Sequence, residues 1–330
     1  MRKTVPREFG GCLPRETHLL NSPNPLPGAQ TTLQFNSGRS AIYAAVVASG
    51  ARRVWLPRYT CPTISEFLTM RGVRVSEYSI DRNFLPMLES WDDGDVVVWT
   101  NYYGCMPGKT IQTVKERFGE KLIIDECQAG TIPAIHGVYN VYSLRKEFGV
   151  PDGSLLVSTL LDRLDLTFYK NIPETCGDDT FLKIASEQGS NAAYSAYLKN
   201  EELFKENFGK MSKQTASLVE QIDFPTIVKR RKENFDVLHK ELGKLNELDV
   251  DFDGRYAFMY PFYIQNDNLR SGLLKKNVFC PTWWKRVIVS VETTEFEKRL
   301  SRYLIPLPID QRYDAEDMFY LANLVKETLR

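Results

Sequence analysis

The 330-residue sequence predicts an α/β fold: a large domain with a mostly parallel sheet between two helical layers, and a small C-terminal α+β domain. Two observations support this prediction. Over residues 35–158, short runs rich in β-branched and aromatic residues alternate with short helical segments, as in parallel sheets covered on both faces. From about residue 178 the pattern changes to long polar helices, followed by a mixture of strands and helices.

The elements of the sheet region follow one another with clear end signals. Gly50 and Gly72 each close a helical segment, as glycine often does. The predicted order is helix "RSAIYAAVVASG", strand "RRVWLP", helix "TISEFLTMRG", strands "VRVSEYSI" and "DVVVWTN", helix "TIQTVKERFGE", strand "KLIID", and the apolar runs "VYSL" and "SLLV".

The remaining segments frame this region. Residues 1–34 are rich in Pro and Gly and predict an N-terminal arm or loop. We assign residues 35–205 to the large domain and residues 206–330 to the small one. The elements predicted after residue 178 are helices "DTFLKIASEQGSNAAYSAYLKNEELFKENF" and "PTIVKRRKENFDVLHKELGKL", strands "RYAFMYPFYI" and "RVIVSV", and helices "EFEKRLSRYL" and "AEDMFYLANLVKETL".

Composition excludes several classes of function. Lys plus Arg and Asp plus Glu both total 42, so the chain lacks the basic excess typical of nucleic-acid binders. The basic run "VKRRK" is interpreted as a solvated helix face. No apolar stretch has the length of a signal peptide core or a membrane span. The six scattered cysteines and three distant histidines predict a reduced, cytoplasmic protein with no metal site.

Polar, Gly-rich segments follow the predicted strands, where ligands collect in open α/β sheets. Ser37 and Gly38 in "NSGRSA" precede a helix, whose free N–H groups attract anions. Asp125 ends a buried strand, and Lys146 follows another at a Gly-Pro turn. Taken singly, these features are also typical of a helix cap, a strand-end cap and a surface lysine.

Together, and in this order, the three features match the needs of pyridoxal 5'-phosphate. Its phosphate binds at a helix N-terminus, its pyridine nitrogen needs a carboxylate to stay protonated, and its aldehyde needs a lysine amine for a Schiff base. We therefore expect this cofactor to bind where Ser37, Asp125 and Lys146 meet.

The chain resembles the DegT/DnrJ-type sugar aminotransferases, a family of fold-type-I pyridoxal-phosphate-dependent enzymes. The resemblance covers about residues 35–330, and the chain looks like a diverged member. The matching motifs are "NSGRSAIYAAV", "LPRYTCPT", "NYYGCMPG", "LIIDECQAG", "YSLRKEFGVPDGSLLV" and "IPLPIDQRYDAEDM".

The resemblance implies a role for each site residue. Lys146 would form the Schiff base, Asp125 would pair with the pyridine nitrogen, and Gln128 would approach the phenolic oxygen of the ring. The phosphate would be held by Ser143 and by the backbone of Ser37, Gly38 and Arg39. The resemblance also implies a seven-stranded, mostly parallel sheet and a homodimer with active sites at the subunit boundary.

Three departures from the family pattern concern the site. Cys61 stands where most relatives stack an aromatic ring on the pyridine, so either stacking is lost or Tyr59 replaces it. The spacing from Ser143 to Lys146 is shorter than usual. The segment that in many relatives carries an Asn reaching the neighbouring subunit's cofactor is here "GKMS", residues 209–212.

The predicted activity is amino transfer, commonly from glutamate in this family, to a keto-sugar that we expect to be nucleotide-linked. The pathway would be surface-polysaccharide or secondary-metabolite biosynthesis. Dehydratase relatives replace the lysine, so its presence favours transamination. The alternatives are a dehydratase-like enzyme and a non-catalytic protein of the same fold. The side chains that could reach the acceptor are Arg39, Tyr102, Arg145 and Trp283 or Trp284.

Overall fold

The computed structural model describes residues 7–20, 31–130 and 132–330. Residues 1–6 and 21–30 of the predicted N-terminal arm lie outside this range. Within the described part of the arm, β1 (Phe9–Gly10) pairs in parallel with the C-terminal strand Val278–Phe279. The backbone N–H of Glu16 donates to the carbonyl of Gly149 at 3.1 Å, so this part of the arm is tied to the body of the protein.

An eight-stranded mixed sheet forms the centre of the molecule. Its strands are β2 (Thr32–Phe35), β3 (Arg53–Pro57), β4 (Arg74–Ile80), β5 (Pro86–Met87), β6 (Asp95–Thr100), β7 (Leu122–Asp125), β8 (Tyr139–Ser143) and β9 (Ser154–Val157). They lie in the order β2-β9-β8-β7-β6-β3-β4-β5. All pairs between β8 and β4 are parallel, whereas β9, β2 and β5 pair antiparallel. The sheet is mostly parallel as predicted, with eight strands rather than seven, counting the two-residue edge strand β5.

The central strands are buried on both faces, which explains their nearly continuous apolar sequences. In β6, Val96 and Val98 face a hydrophobic cluster that also contains the buried side of the helix Gly38–Ser49, while Val97 and Trp99 face a second cluster with C-terminal residues. This alternation follows the two-residue period of a strand. The helices that follow the strands here are α1 (Gly38–Ser49), α2 (Pro62–Met70), α3 (Gly108–Phe118) and α4 (Leu144–Glu147).

The C-terminal half is mainly helical, with short strand pairs. Its helices are α5 (Thr167–Lys170), α6 (Thr180–Gln188), α7 (Ser190–Leu203), α8 (Lys213–Val219), α9 (Phe224–Leu242), α10 (Leu269–Lys275), α11 (Arg286–Val289), α12 (Glu295–Tyr303) and α13 (Ala315–Leu329). Its strands are β10 (Met259–Tyr263), β11 (Val278–Phe279) and β12 (Leu304–Pro308). β10 and β12 form an antiparallel pair, and β11 is the partner of β1. Of the described helices, none combines the length and the apolar character that crossing a membrane requires.

Two predicted elements differ in the structure. The long helix predicted after residue 178 is two helices, α6 and α7, because Gly189 between them adopts φ of +95°. The segment "RVIVSV", predicted as a strand, begins with the short helix α11. No described strand pairs with this segment, and Val291 is 93% exposed, so β-propensity alone does not form a strand there. The predicted division at residues 205 and 206 stays a prediction.

Candidate active site

A cavity of about 210 Å³ lies where β7 and β8 end and α1 and α2 begin. This is the position at which open α/β sheets collect ligands. Its described lining comprises Ser37, Gly38, Arg39, Ile42, Thr60, Cys61, Thr63, Ile64, Asp125, Cys127, Gln128, Ser143, Arg145, Lys146, Tyr197, Glu201 and Trp284. The strand-end residues predicted from the sequence therefore share one cavity.

Lys146 extends into this cavity from α4, the single turn that follows β8. Its side chain is exposed because the cavity is open beside it. The surrounding cavity walls desolvate the amine and lower the pKa of Lys146, but Cys127 and Asp125 offset this effect, and the pKa lies above its ordinary value. Within the described residues, the amine has no hydrogen bond or ion pair, so it is available to a ligand.

Asp125 and Gln128 line the same cavity from the segment after β7. Asp125 is buried. Among the described residues, Cys127 is the one that hydrogen-bonds to its carboxylate, and the Cys127 backbone N–H donates to Oδ1 at 3.0 Å. Gln128 accepts a hydrogen bond of 2.7 Å from the backbone N–H of Tyr103 at Oε1. Its Nε2 is therefore the group left to donate to a ligand oxygen.

The opposite part of the cavity is suited to an anion. Ser37 precedes α1, and the first N–H groups of a helix have no partner within the helix. The Ser37 hydroxyl bonds to Asn36 Oδ1 and to Ser40 Oγ, each at 3.1 Å. Ser143 Oγ has no hydrogen bond to another described residue. These groups, with Lys146, Asp125 and Gln128, fit the phosphate, aldehyde and ring of pyridoxal phosphate.

Gly38 is required by a close approach between α1 and the segment after β7. A Cβ atom on Gly38 would lie 2.7 Å from Cys127 Sγ, well inside contact distance. We expect Gly38→Ala to destabilise the protein by about 1–3 kcal/mol, because the buried thiol must move. We also expect weaker binding of pyridoxal phosphate, measured by titration alongside chemical denaturation.

A double-mutant cycle identifies the cause of this effect. Cys127→Ala removes the sulfur and should recover most of the loss when combined with Gly38→Ala. If Gly38→Ala cost the same stability in the wild-type protein and in the Cys127→Ala variant, the contact with the sulfur would not be responsible.

The structure corrects three candidate positions. Tyr59 is fully buried, its hydroxyl lies 3.1 Å from that of Tyr103, and it does not line the cavity. Tyr102 is also fully buried and donates to the carbonyl of Tyr59 at 3.1 Å. Trp283 packs against Tyr103, with ring centroids 5.9 Å apart. Tyr59 and Tyr102 belong to the buried hydrophobic core, and Trp283 is partly buried against it.

Cys61 and Trp284, unlike their neighbours Tyr59 and Trp283, line the cavity. Cys61 directly precedes α2, and its sulfur lies 3.1 Å from Thr63 Oγ1. Trp284 has φ of +54°, an unusual value for a bulky residue, and its ring contacts Tyr59 edge-on at 4.5 Å. Tyr59 therefore does not take the place of the aromatic ring that most relatives stack on the pyridine.

Sequence reasoning missed the part of the cavity wall that α7 supplies. Glu201 and Tyr197, four residues apart on α7 and so on one helix face, both line the cavity. Glu201 forms an ion pair with Arg145 and a longer one, at 3.5 Å, with Arg39. Burial opposes ionisation, but Arg145 holds the pKa of Glu201 below its ordinary value. The four-residue spacing in the sequence indicates that Tyr197 and Glu201 share one helix face, but it does not show that this face covers the cavity.

The segment "GKMS" packs within its own chain. The carbonyl of Gly209 accepts from the backbone N–H of Asn36 at 2.9 Å, and Ser212 caps α8 while donating to Asp152 at 2.8 Å. These contacts place the segment beside the loop that precedes α1.

Comparison with known proteins gives no match to a family model and none to a curated protein. Three solved structures are similar over most of the chain. DesI, determined in the presence of its TDP-sugar product, has a TM-score of 0.62 and 14% identity, covering 92% of this chain and 81% of its own. A DegT DnrJ EryC1 StrS aminotransferase from Brucella abortus has a TM-score of 0.60 and 12% identity, covering 90% and 86%.

The third is the putative sugar aminotransferase Spr1654 from Streptococcus pneumoniae in its PMP form, with a TM-score of 0.62 and 11% identity. The match covers 98% of this chain and 99% of that one. The chain has the fold of these aminotransferases. This confirms the predicted fold class, and at these identities the likeness concerns the fold.

Proposed function

We propose that this protein is a pyridoxal-phosphate-dependent aminotransferase of the DegT/DnrJ type. The observation that carries the proposal is the convergence of Lys146, Asp125 and the start of α1 on one cavity. Each supplies a group that the cofactor needs, and the solved structures of the same fold include one in the PMP form. The division into a large domain at residues 35–205 and a small one at 206–330 is part of this proposal.

Each side chain has a defined task in the proposed reaction. When bound, pyridoxal phosphate supplies an electron sink for the carbon that loses a proton. Lys146 would hold the cofactor covalently and, once freed, its amine would move a proton at the reacting carbon. Asp125 would keep the ring nitrogen protonated, Gln128 Nε2 would donate to the ring's phenolic oxygen, and Ser143 would assist α1 at the phosphate.

The proposed substrates are an amino donor such as glutamate and a nucleotide-linked keto-sugar. Arg39 and Arg145 line the cavity and share the single carboxylate of Glu201, which leaves one positive charge uncompensated. Such a wall attracts anionic ligands, including carboxylates and phosphates. The TDP-sugar product named for DesI supports a nucleotide-linked sugar as the acceptor.

The proposed assembly is a homodimer, working in the cytoplasm in surface-polysaccharide or secondary-metabolite biosynthesis. Tyr194 and Leu198, one turn apart on α7, form a short exposed apolar strip on the helix that also lines the cavity. A second copy that covers this strip would bury it close to the site. All six cysteines are free, in keeping with a reducing compartment.

The test of this function is a half-reaction with glutamate. Protein loaded with pyridoxal phosphate should convert one equivalent of glutamate to 2-oxoglutarate, with a matching change in its visible absorbance. Bound cofactor that releases no 2-oxo acid from glutamate or from any other amino donor would contradict amino transfer and leave a dehydratase-like reaction. Protein that binds no pyridoxal phosphate would contradict the whole proposal.

A further inference from the structure

Two fully buried glutamates lie directly behind the candidate site. Glu126 follows Asp125, and Glu147 follows Lys146. Asp125 and Lys146 line the cavity, whereas neither glutamate does, and both glutamates are 0% exposed. Buried carboxyl groups are costly unless they are paired or hydrogen-bonded, so the partners of each oxygen matter.

Each glutamate has one satisfied oxygen and one without a partner. Glu126 Oε2 accepts from Asn101 Nδ2 at 2.8 Å, and Glu147 Oε1 accepts from the backbone N–H of Gly130 at 2.5 Å. Glu126 Oε1 and Glu147 Oε2 are buried and lack a donor among the described residues. The nearby buried hydroxyl of Tyr142 likewise has no hydrogen-bond partner among them. Native proteins rarely leave such groups unsatisfied, which calls for an explanation.

The charges around the two groups are unequal. Glu147 faces the cations of Arg231 and Lys146, whereas Glu126 faces Asn101, Tyr142 and the carboxylates of Asp125 and Glu147. The Arg231 guanidinium donates to the backbone oxygen of Glu147 at 2.9 Å, not to its carboxylate. Glu147 is therefore the better placed of the two to stay ionised, and Glu126 is the better placed to hold a proton.

The protonation equilibrium of Glu126 agrees with this assignment. Burial raises the pKa of Glu126 to about 8, the hydrogen bond from Asn101 opposes the rise, and the charges of Asp125 and Glu147 add to it. At neutral pH the carboxyl group is thus mostly protonated and has a hydrogen to donate.

We propose that Glu126 donates this hydrogen from Oε1 to Oε2 of Glu147, and that the resulting carboxyl–carboxylate hydrogen bond fixes the segment after β7 to the segment after β8. Glu126 and Glu147 are then positioning residues, which hold Asp125 at a set distance from Lys146. One proton satisfies both unpartnered oxygens. The positioning role rests on the proposed function, whereas the hydrogen bond itself does not.

The first test measures stability against pH without cofactor. Between pH 5 and 8 the folded chain keeps a proton that unfolded Glu126 has lost, so the contribution of Glu126 to wild-type stability falls as pH rises. Glu126→Gln cannot lose that proton, and its amide can still donate to Glu147. The ratio of its folding constant to that of wild type should grow by up to about tenfold per pH unit up to pH 8 and then level off.

Two further variants complete the stability test. Glu126→Ala leaves Glu147 without its partner and should be less stable than Glu126→Gln at every pH. Glu89→Gln, at an exposed glutamate, should follow the wild-type profile. Two results would contradict the proposed hydrogen bond: a Glu126→Gln variant less stable than wild type at pH 8, or a stability that depends on added potassium or sodium chloride at constant ionic strength. Either result would indicate that a bound cation, not a shared proton, lies between the two carboxylates.

The second test concerns positioning. Affinity for pyridoxal phosphate should fall above pH 8 in wild type relative to Glu126→Gln, since loss of the proton sets two carboxylates against each other. Lys146 titrates in both proteins, so the ratio of affinities isolates Glu126. A constant ratio from pH 6 to 9 would refute the positioning role. If the ratio of affinities changed with pH as expected but the glutamate half-reaction failed, only the proposed function would be refuted.

Discussion

Lys146→Ala is expected to abolish covalent capture of pyridoxal phosphate. Among the described lining residues, Lys146 carries the primary amine that a Schiff base needs, and its side chain extends into the cavity rather than into the core. The variant should therefore fold normally while losing the reaction completely. Incubation with the cofactor, borohydride reduction and peptide mass analysis measure the adduct, which in wild type should map to Lys146.

The matched control is Lys109→Ala, at an exposed lysine at the start of α3 that does not line the cavity. This variant should be labelled as fully as wild type. Stoichiometric labelling of another lysine in wild type, or full labelling of Lys146→Ala at a single new position, would mean that the site has been assigned to the wrong residue. Denaturation curves of the three proteins exclude unfolding as the cause of any loss.

The sequence was sufficient to predict that Asp125 and Lys146 lie close together, because Asp125 ends one of two neighbouring parallel strands and Lys146 follows the other. Each strand is an apolar run that ends abruptly in polar residues, and this local pattern is visible without a structure. Asp125 pairs with Val141 in the register of β7 and β8, so the two polar ends meet at the same edge of the sheet. Helix α1 and its N-terminal groups follow from equally local signals, Ser37 before the helix and Gly50 after it.

The other parts of the site depend on contacts between distant segments. Glu201 reaches Arg145 because α7 crosses over the cavity, and nothing in its local sequence specifies that packing. Tyr59 is buried whereas Trp284 lines the cavity for a similar reason: both are aromatic, and the fold decides which one is buried in the core. The same limit applies to "RVIVSV", whose composition favours a strand that no neighbour is present to pair with.

Asp125→Asn is expected to retain cofactor capture but to slow the reaction on the order of 10²- to 10³-fold. The Asn side chain can still accept from the Cys127 N–H through Oδ1, so local structure is preserved. A neutral amide does not stabilise a protonated ring nitrogen, and the electron sink is weakened as a result. The rate of 2-oxoglutarate formation from glutamate, measured in a single turnover, reports this loss.

Asp93→Asn is the control, because Asp93 is exposed and lies outside the cavity. Its single-turnover rate should equal that of wild type. The two site variants are informative as a pair: Lys146→Ala removes the covalent adduct itself, whereas Asp125→Asn leaves the adduct and removes its reactivity. If Asp125→Asn reacted at the wild-type rate, its carboxylate would not act on the ring nitrogen, even with the role of Lys146 intact. If instead it lost capture as completely as Lys146→Ala, Asp125 would serve to build the cavity and not to activate the cofactor.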